Sequence, residues 1–390
     1  MSVPPRRPKR ALSNTGGQTL VAGDPELCDL LVHALDTGNL ERDRFTHGFH
    51  SYPARMHWAT AERVLTGVGL AGGHVLDPFC GSGTVLVEAR AAGFLGSGTD
   101  LNPLAVALSR LKTQPFDPAL RGQLVRTASE VRARSEERVQ ARDPVRAKLE
   151  PKELAWYEPH VVKEMAGLLE EIDRTEDVRL RNALRLVFSS LVVKFSKQRS
   201  DTAEEAVARR VRKGLVSEFF ERKTLELADR MRDYERAARG PLPSVREGDA
   251  RRLPDLIDKP VDLVLTSPPY GNTYDYVNHH ARRFAWLGLD AKNLEAGEIG
   301  ARRRGTSSER FARELGFALK SMHQVMRRDA LLVMLMGDGE HAGVRVPADV
   351  LVAEIADEVG FEPLAVATQA RPDFRGGPLR GEHLMALRRL

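Results

Sequence analysis

The chain has 390 residues, 42% hydrophobic and 29% charged, with a net charge of +5, enough for one large core or a core with an inserted second unit. No stretch approaches the roughly 20 apolar residues of a membrane span and Met1–Arg10 leads into no apolar signal core, so a soluble, cytoplasmic protein without a membrane partner is expected. The cysteines Cys28 and Cys80 give neither a disulfide framework nor a metal cluster, no metal is expected, and the Arg-rich positive balance admits a polyanionic partner without requiring one.

Residues 1–22 lack periodicity and read as a flexible basic arm. A helix is predicted over Asp24–Leu35, where Leu27, Leu30, Leu31, Ala34 and Leu35 share one face. The aromatic-rich segment Phe49-His50-Ser51-Tyr52-Pro53-Ala54-Arg55-Met56-His57 precedes a helix containing Thr60–Leu65. An α/β rhythm then sets in: strand His74–Leu76, a glycine loop, helix Thr84–Ala92, strand Phe94–Thr99 and the acidic tip Asp100. Such alternation predicts a mostly parallel sheet. Over 111–240 it gives way to long, charged helical patterns at Leu120–Val139, Glu158–Glu171, Leu180–Phe195 and Ala203–Ala238. That stretch is too long for a single crossover and reads as an inserted helical subdomain between a first part, 23–110, and a last part, 241–390. In the last part, strands are predicted at Val261–Leu265, Ala330–Met336, Leu364–Thr368 and His383–Leu387. The final two are expected to pair antiparallel at the sheet edge, across the turn-rich Arg371–Pro378.

The first loop is Asp77-Pro78-Phe79-Cys80-Gly81-Ser82-Gly83-Thr84. Gly81 and Gly83 remove Cβ atoms where the backbone turns from strand to helix, and the helix opening at Thr84 leaves amides for a polar ligand group. Asp100, ending the next strand, is placed to accept the hydroxyls of a ribose, although it could instead cap the turn at Asn102-Pro103. No Walker-type Gly-x-x-x-x-Gly-Lys sequence is present. Asp77 would repel a pyrophosphate but could accept from an amino group, which points to the amino-acid part of S-adenosylmethionine.

The second loop, Thr266-Ser267-Pro268-Pro269-Tyr270, closes the strand Val261–Leu265. Its prolines fix two φ angles and donate no hydrogen bond, so carbonyls are left to accept. An exocyclic amino group attacks a methyl group poorly because its lone pair is spread into the ring. Donating its N–H groups to the Ser267 hydroxyl and the Pro268 carbonyl would favour a tetrahedral nitrogen aimed at a sulfonium methyl, while the Tyr270 ring could stack on a base. A rigid exposed turn is the alternative for these residues.

The two loops resemble the cofactor and catalytic motifs of the DNA amino-methyltransferases, which methylate cytosine N4 or adenine N6. His50–His57 resembles the accessory cofactor segment that precedes the glycine loop in members with this motif order, and Gly248-Asp249-Ala250 looks like the place of that family's acidic contact to the adenine amino group. The resemblance covers roughly 45–110 and 245–390. It implies a Rossmann-like sheet, seven-stranded and mostly parallel, interrupted by a helical subdomain. It also implies S-adenosylmethionine held by His50, Tyr52, Pro53, Asp77, Pro78, Phe79, Gly81, Gly83, Asp100 and Asp249, with Ser267, Pro268, Pro269 and Tyr270 catalytic. A Ser in the first catalytic position favours cytosine N4 over adenine N6 within the family.

The partner implied is double-stranded DNA with the target base flipped from the stack. Arg282 and Arg283, and the triplet Arg302-Arg303-Arg304 in an expected mobile connection, could neutralise phosphates or read guanine, although each could equally be a solvated charge. The insert, with Arg209, Arg210, Arg212 and Lys213, suits target recognition or dimerisation to a homodimer. The setting implied is self-DNA marking at the nucleoid, or restriction–modification beside a cognate endonuclease. RNA amino-group methylation and an inactive nucleic-acid module are the remaining alternatives. Cytosine C5 chemistry lacks its thiolate, since no cysteine follows Pro268-Pro269, and a zinc deaminase lacks paired ligands. His279 and His280 are read as substrate-side or surface residues.

Overall fold

The computed structural model describes residues 19–143, 145–202, 205–341, 344–371 and 379–390. Most of the expected basic arm, 1–18, and the turn at 372–378 lie outside the described residues. In chain order the elements are β1 (Thr19–Gly23), α1 (Pro25–Leu35), α2 (Trp58–Gly67), β2 (His74–Asp77), α3 (Thr84–Ala91), β3 (Leu95–Asp100) and α4 (Pro103–Thr113). There follow α5 (Pro118–Gln140), α6 (Pro151–Leu154), α7 (Pro159–Asp173), α8 (Val178–Val192), α9 (Leu215–Ala237), β4 (Ser244–Glu247) and β5 (Val261–Thr266). The last part adds α10 (Tyr276–Leu287), α11 (Lys292–Gly297), α12 (Ser308–Val325), β6 (Met326–Gly337), β7 (Gly339–His341), β8 (Val344–Val346), α13 (Ala348–Val359), β9 (Phe361–Arg371) and β10 (Arg380–Arg389).

Helix starts follow a repeated local grammar. Asp24, Asn102 and Asp117 each accept amide hydrogens of the first turn, and each is followed by a proline that needs no N–H partner there. Asp177, Asp275 and Ser307 cap α8, α10 and α12 in the same way without the proline.

The sheet has eight strands in the order β1-β9-β10-β6-β5-β2-β3-β4. β6, β5, β2, β3 and β4 are parallel neighbours, whereas β10 runs antiparallel between β6 and β9. This corrects the expected strand count and the expected edge. Residues 19–22, assigned to the flexible arm, form a strand with Gly23 that pairs antiparallel with β9 from Thr19↔Gln369 to Gly23↔Ala365, so β9 and β10 are interior strands. β4 carries too few apolar residues to announce itself as a strand.

Successive residues of the central strands alternate between two cores, which is why those strands read as continuous apolar runs. Val75, Leu263, Leu265 and Val333 face α1, α2 and α3; Leu76, Val264, Leu332 and Met334 face α12 and α13. A third core joins α5, α7, α8 and α9 to Leu104 and Leu108 of α4 and to Phe284 and Trp286 of α10. The helices of the 111–240 stretch therefore share packing with the elements on either side of it. The pattern at Ala203–Ala238 is shorter as a helix than expected: α9 starts only at Leu215, after Gly214 in the left-handed region at φ 78°.

Gly83 sets the entry into α3. It sits at φ 85°, and a Cβ there would approach Ser109 Oγ to 2.9 Å and Ser109 Cα to 3.0 Å. Gly83→Ala is expected to lower unfolding free energy by roughly 2–4 kcal/mol, from left-handed strain plus overpacking. A denaturant midpoint unchanged from wild type would refute this account of the turn.

Candidate active site

Both loops leave the carboxyl ends of adjacent parallel strands, the crevice where the chain order reverses direction across the sheet. They meet in one cleft enclosing about 840 Å³, part of it open solvent. It is lined by Asp77, Pro78, Phe79, Cys80 and Gly81 after β2, Asp100 and Asn102 at the tip of β3, Ser267 and Pro269 after β5, the rings of Tyr52 and Tyr276, and Asp249, Gly297 and Glu298.

Asp77 is buried and accepts from the Thr266 hydroxyl at 2.7 Å and from the Phe79 amide at 3.2 Å. Burial raises its pKa to about 7, because those neutral donors only partly replace the lost solvent. Asp100 accepts from the Gly81 amide at 2.9 Å with one oxygen and the Asn102 amide at 2.8 Å with the other, and burial lifts its pKa to about 6. The carboxylate that was expected to meet a ribose thus also knits the glycine loop to the β3 tip, and each oxygen keeps a second lone pair for a ligand. Glu298, which no motif marked, is buried in the cleft lining, accepts from the Tyr276 amide at 2.8 Å, and has its pKa raised, first by burial.

Ser267 and Pro269 are half-buried on the cleft wall. Among the described residues no protein group donates to the Pro268 carbonyl or bonds the Ser267 hydroxyl. Tyr270 departs from its expected role in this conformation. It is 2% exposed, packs among Leu76, Phe311 and Met336, and donates its hydroxyl to Glu382 at 3.3 Å, so the rings facing the cleft are Phe79, Tyr52 and Tyr276.

The remaining expected residues divide sharply. Tyr52, Asp77, Pro78, Phe79, Gly81, Asp100 and Asp249 line the cleft; His50, Pro53, Gly83, Pro268 and Tyr270 do not. Asp249 is gripped by its near neighbour Arg251, with contacts of 2.9, 3.0 and 2.5 Å. His50 is fully enclosed, bonding the Ser51 carbonyl at 2.7 Å and the Ser189 hydroxyl at 3.0 Å. Of the five arginines expected at nucleic acid, Arg283 is 1% exposed and ion-paired with Asp201 at 2.6 Å, which removes it from any phosphate. Arg282 lies 3.7 Å over the Trp156 ring. Arg303 is bound by Asp275 and Glu298, and Arg304 donates to the Glu295 carbonyl, so the triplet forms a held 3₁₀ turn instead of the expected loose connection. Only Arg302 of the three stands exposed. His280, read as a surface or substrate residue, is wholly buried.

A mostly parallel sheet of this order, with a glycine loop after β2 and an acidic tip on β3, is a Rossmann-like α/β fold. The chain is 21% identical over 414 residues to the Type II methyltransferase M.BsoBI of Geobacillus stearothermophilus, covering 84% of this chain and 81% of that protein. It is 38% identical over 84 residues to the Type II methyltransferase M.MvaI of Kocuria varians, covering 21% of this chain and 18% of that one. No family model matches the chain. Among solved structures, TrmN from Thermus thermophilus is 12% identical at a TM-score of 0.34, covering 86% of this chain and 49% of that one.

The raised acids make a signed prediction. A carboxyl whose pKa is raised by folding holds its proton longer in the folded state, so its favourable contribution is present at low pH and is lost as pH rises from 3.8 through about 7 for Asp77. Asp77→Asn removes that term. Unfolding free energies of the ligand-free variant and wild type, measured from pH 4 to 8, should diverge in the variant's favour by roughly 1–3 kcal/mol toward high pH. A pH-independent difference would contradict the assignment.

Proposed function

We propose that the protein is a DNA methyltransferase that transfers the methyl group of S-adenosylmethionine to the exocyclic amino group of cytosine, N4, in double-stranded DNA. The observation that carries this reading is the meeting of Asp77 and Ser267 in one cleft, tied by the Thr266 hydroxyl, with the Ser267 hydroxyl and the Pro268 carbonyl both left to accept. The similarity to one Type II methyltransferase, M.BsoBI, along 84% of the chain supports DNA as the substrate and a restriction–modification setting.

The donor fits the residues present. Asp77 is a buried carboxyl without a cationic partner among the described residues, so an ammonium or sulfonium group would supply the missing charge and draw its pKa down. Gly81, at φ 48°, leaves the cleft lining without a side chain, since a Cβ there would meet the Tyr52 ring at 3.3 Å. Asp100 can add ribose hydroxyls to its amide bonds. S-adenosylmethionine, when bound, supplies an electrophilic methyl group.

The protein's own task is to prepare the amine. Ser267 and Pro268 would accept the two N–H hydrogens, turning the nitrogen lone pair out of conjugation, and the prolines keep both acceptors fixed without reorganisation. The nitrogen gains the methyl as the carbon–sulfur bond breaks, the sulfur would leave as the neutral thioether, and the methylated amine, a strong acid while cationic, then gives its proton to water, so no basic cysteine or metal is called on. The base must leave the duplex to reach this depth, at a cost of about a few kcal/mol that contacts elsewhere must offset. Adenine N6 is the second reading, because the Ser267–Pro268 acceptors suit either amine.

Nucleoside mass analysis of DNA incubated with methyl-labelled donor should place label in N4-methylcytosine; label in N6-methyladenine would select the second reading, and none would sink both. Ser267→Ala should slow single-turnover methylation roughly 10- to 100-fold with little change in donor affinity, whereas Asp100→Ala should weaken donor binding. Equal affinity loss with unchanged chemistry in Ser267→Ala would contradict its role. For the triplet, Arg302→Ala should reduce the salt slope of DNA binding by about 1, the signature of a phosphate contact. An unchanged slope and site preference would remove Arg302 from the DNA surface.

A further inference from the structure

Behind Tyr52 and Tyr276 of the cleft lies a polar cluster, buried apart from the exposed Ser51, assembled from chain segments far apart in sequence. Arg283 of α10 donates to Asp201 at 2.6 Å and to the Ser189 carbonyl of α8 at 3.3 Å, and its other guanidinium nitrogen lies 3.4 Å from His280 Nδ1. The second oxygen of Asp201 accepts from the Ser51 hydroxyl, and the Ser189 hydroxyl bonds His50 at 3.0 Å. Ser51 and His50 belong to the segment that delivers Tyr52. Asp201 and Ser189 come from the 111–240 stretch.

The cluster bears directly on these two rings. The His280 ring lies 5.0 Å from Tyr52, and Tyr52 stacks on Tyr276 at 6.1 Å with an interplanar angle of 23°. The Tyr52 hydroxyl accepts from Asn102 at 3.3 Å, next to the Asp100 tip, and its ring covers Gly81. A continuous set of contacts therefore runs from Asp201 through Arg283, His280 and Tyr52 to the cleft where the donor would sit. Burial, and then the Arg283 charge, hold the His280 pKa well below its ordinary range, so its Nδ1 can accept from Arg283.

We propose that Asp201, Arg283 and Ser51 are positioning residues for donor binding: the long helical stretch reaches back through them to fix Tyr52 and Tyr276, and so sets the affinity of the S-adenosylmethionine site. This inference rests on the donor assignment made above. A buried pair adds little net stability compared with a neutral replacement, whereas removing one partner alone strands a charge. That asymmetry separates positioning from simple stabilisation. Replacing both charges, Asp201→Asn with Arg283→Met, should leave the thermal midpoint within a few degrees of wild type but lose the guanidinium fork that joins Asp201 to His280.

The test is the dissociation constant for S-adenosylhomocysteine, measured by calorimetry on the full chain beside thermal melting. The double variant should bind roughly ten-fold more weakly, an effect within the range carried through buried networks. Ser51→Ala, which leaves both charges in place, should weaken binding about three-fold, and Ser51→Thr should restore it by returning the hydroxyl. Wild-type affinity in a folded double variant, or in Ser51→Ala, overturns the proposal. If the double variant does not fold, the Ser51→Ala and Ser51→Thr comparison decides alone. Wild-type protein that binds no S-adenosylhomocysteine would overturn the donor assignment instead, a different and separately visible failure.

Discussion

The Thr266–Asp77 hydrogen bond, 2.7 Å long and fully buried, is the contact on which the architecture of the cleft turns. It joins the last residues of two adjacent parallel strands, β5 and β2, where each chain leaves the sheet. Strand adjacency brings the loops near one another, as the register Leu76↔Val264 requires. The hydroxyl–carboxylate contact then fixes where they sit relative to each other, and with them the spacing between an acid suited to a cationic ligand and the acceptors of the Ser-Pro-Pro turn. Central-strand burial on both faces makes this spacing rigid, because a shift of either strand would disturb two packed cores at once.

Charge is distributed against the overall balance. The chain carries five more basic than acidic residues, yet the lining of the cleft gathers Asp77, Asp100, Asp249 and Glu298 against Arg55, which is itself paired with Asp43. Asp77, Asp100 and Glu298 all have raised pKa values with burial as the first cause, and only Glu298 has an arginine against it. Such a cleft is electrostatically unfinished, and a cationic ligand with hydrogen-bond donors completes it. A polyanion would be opposed there, so under the proposed function an extruded base, and not the phosphate backbone, is the part of DNA suited to enter.

The parts of the fold that could be read from sequence are those with local causes. The helix at 24–35 announces itself by an Asp cap, a proline and one apolar face, and the strands at 74–76 and 261–265 by apolar runs ending in glycine or proline turns. β1 was hidden because Thr19–Gly23 is short and mostly exposed, and its pairing with β9 spans nearly the whole chain. In the site, Asp77, Gly81, Asp100 and Ser267 were marked by motif, since their backbone turns leave a sequence signature. Glu298 and Tyr276 were not, because they enter the cleft by tertiary placement alone. Tyr270 shows the opposite failure: adjacency to the prolines suggested an available ring, while the Glu382 acceptor that draws it inward lies on a distant strand.

Arginine runs were the least reliable sequence signal, and the reason is physical. A guanidinium has five donors in a rigid fork and finds carboxylates and carbonyls wherever the fold brings them. Arg303 meets Asp275 and Glu298, Arg251 clasps Asp249, and Arg283 is enclosed with Asp201, so residues equivalent in composition are internal struts. Counting basic residues therefore overstates the surface offered to DNA, and the useful quantity is the set of cations left without a carboxylate. The same reasoning changes the role of the helical stretch. Through Ser189 and Asp201 it touches His50, Ser51 and Arg283, which stand behind Tyr52, so a change in that stretch would reach the lining of the cleft.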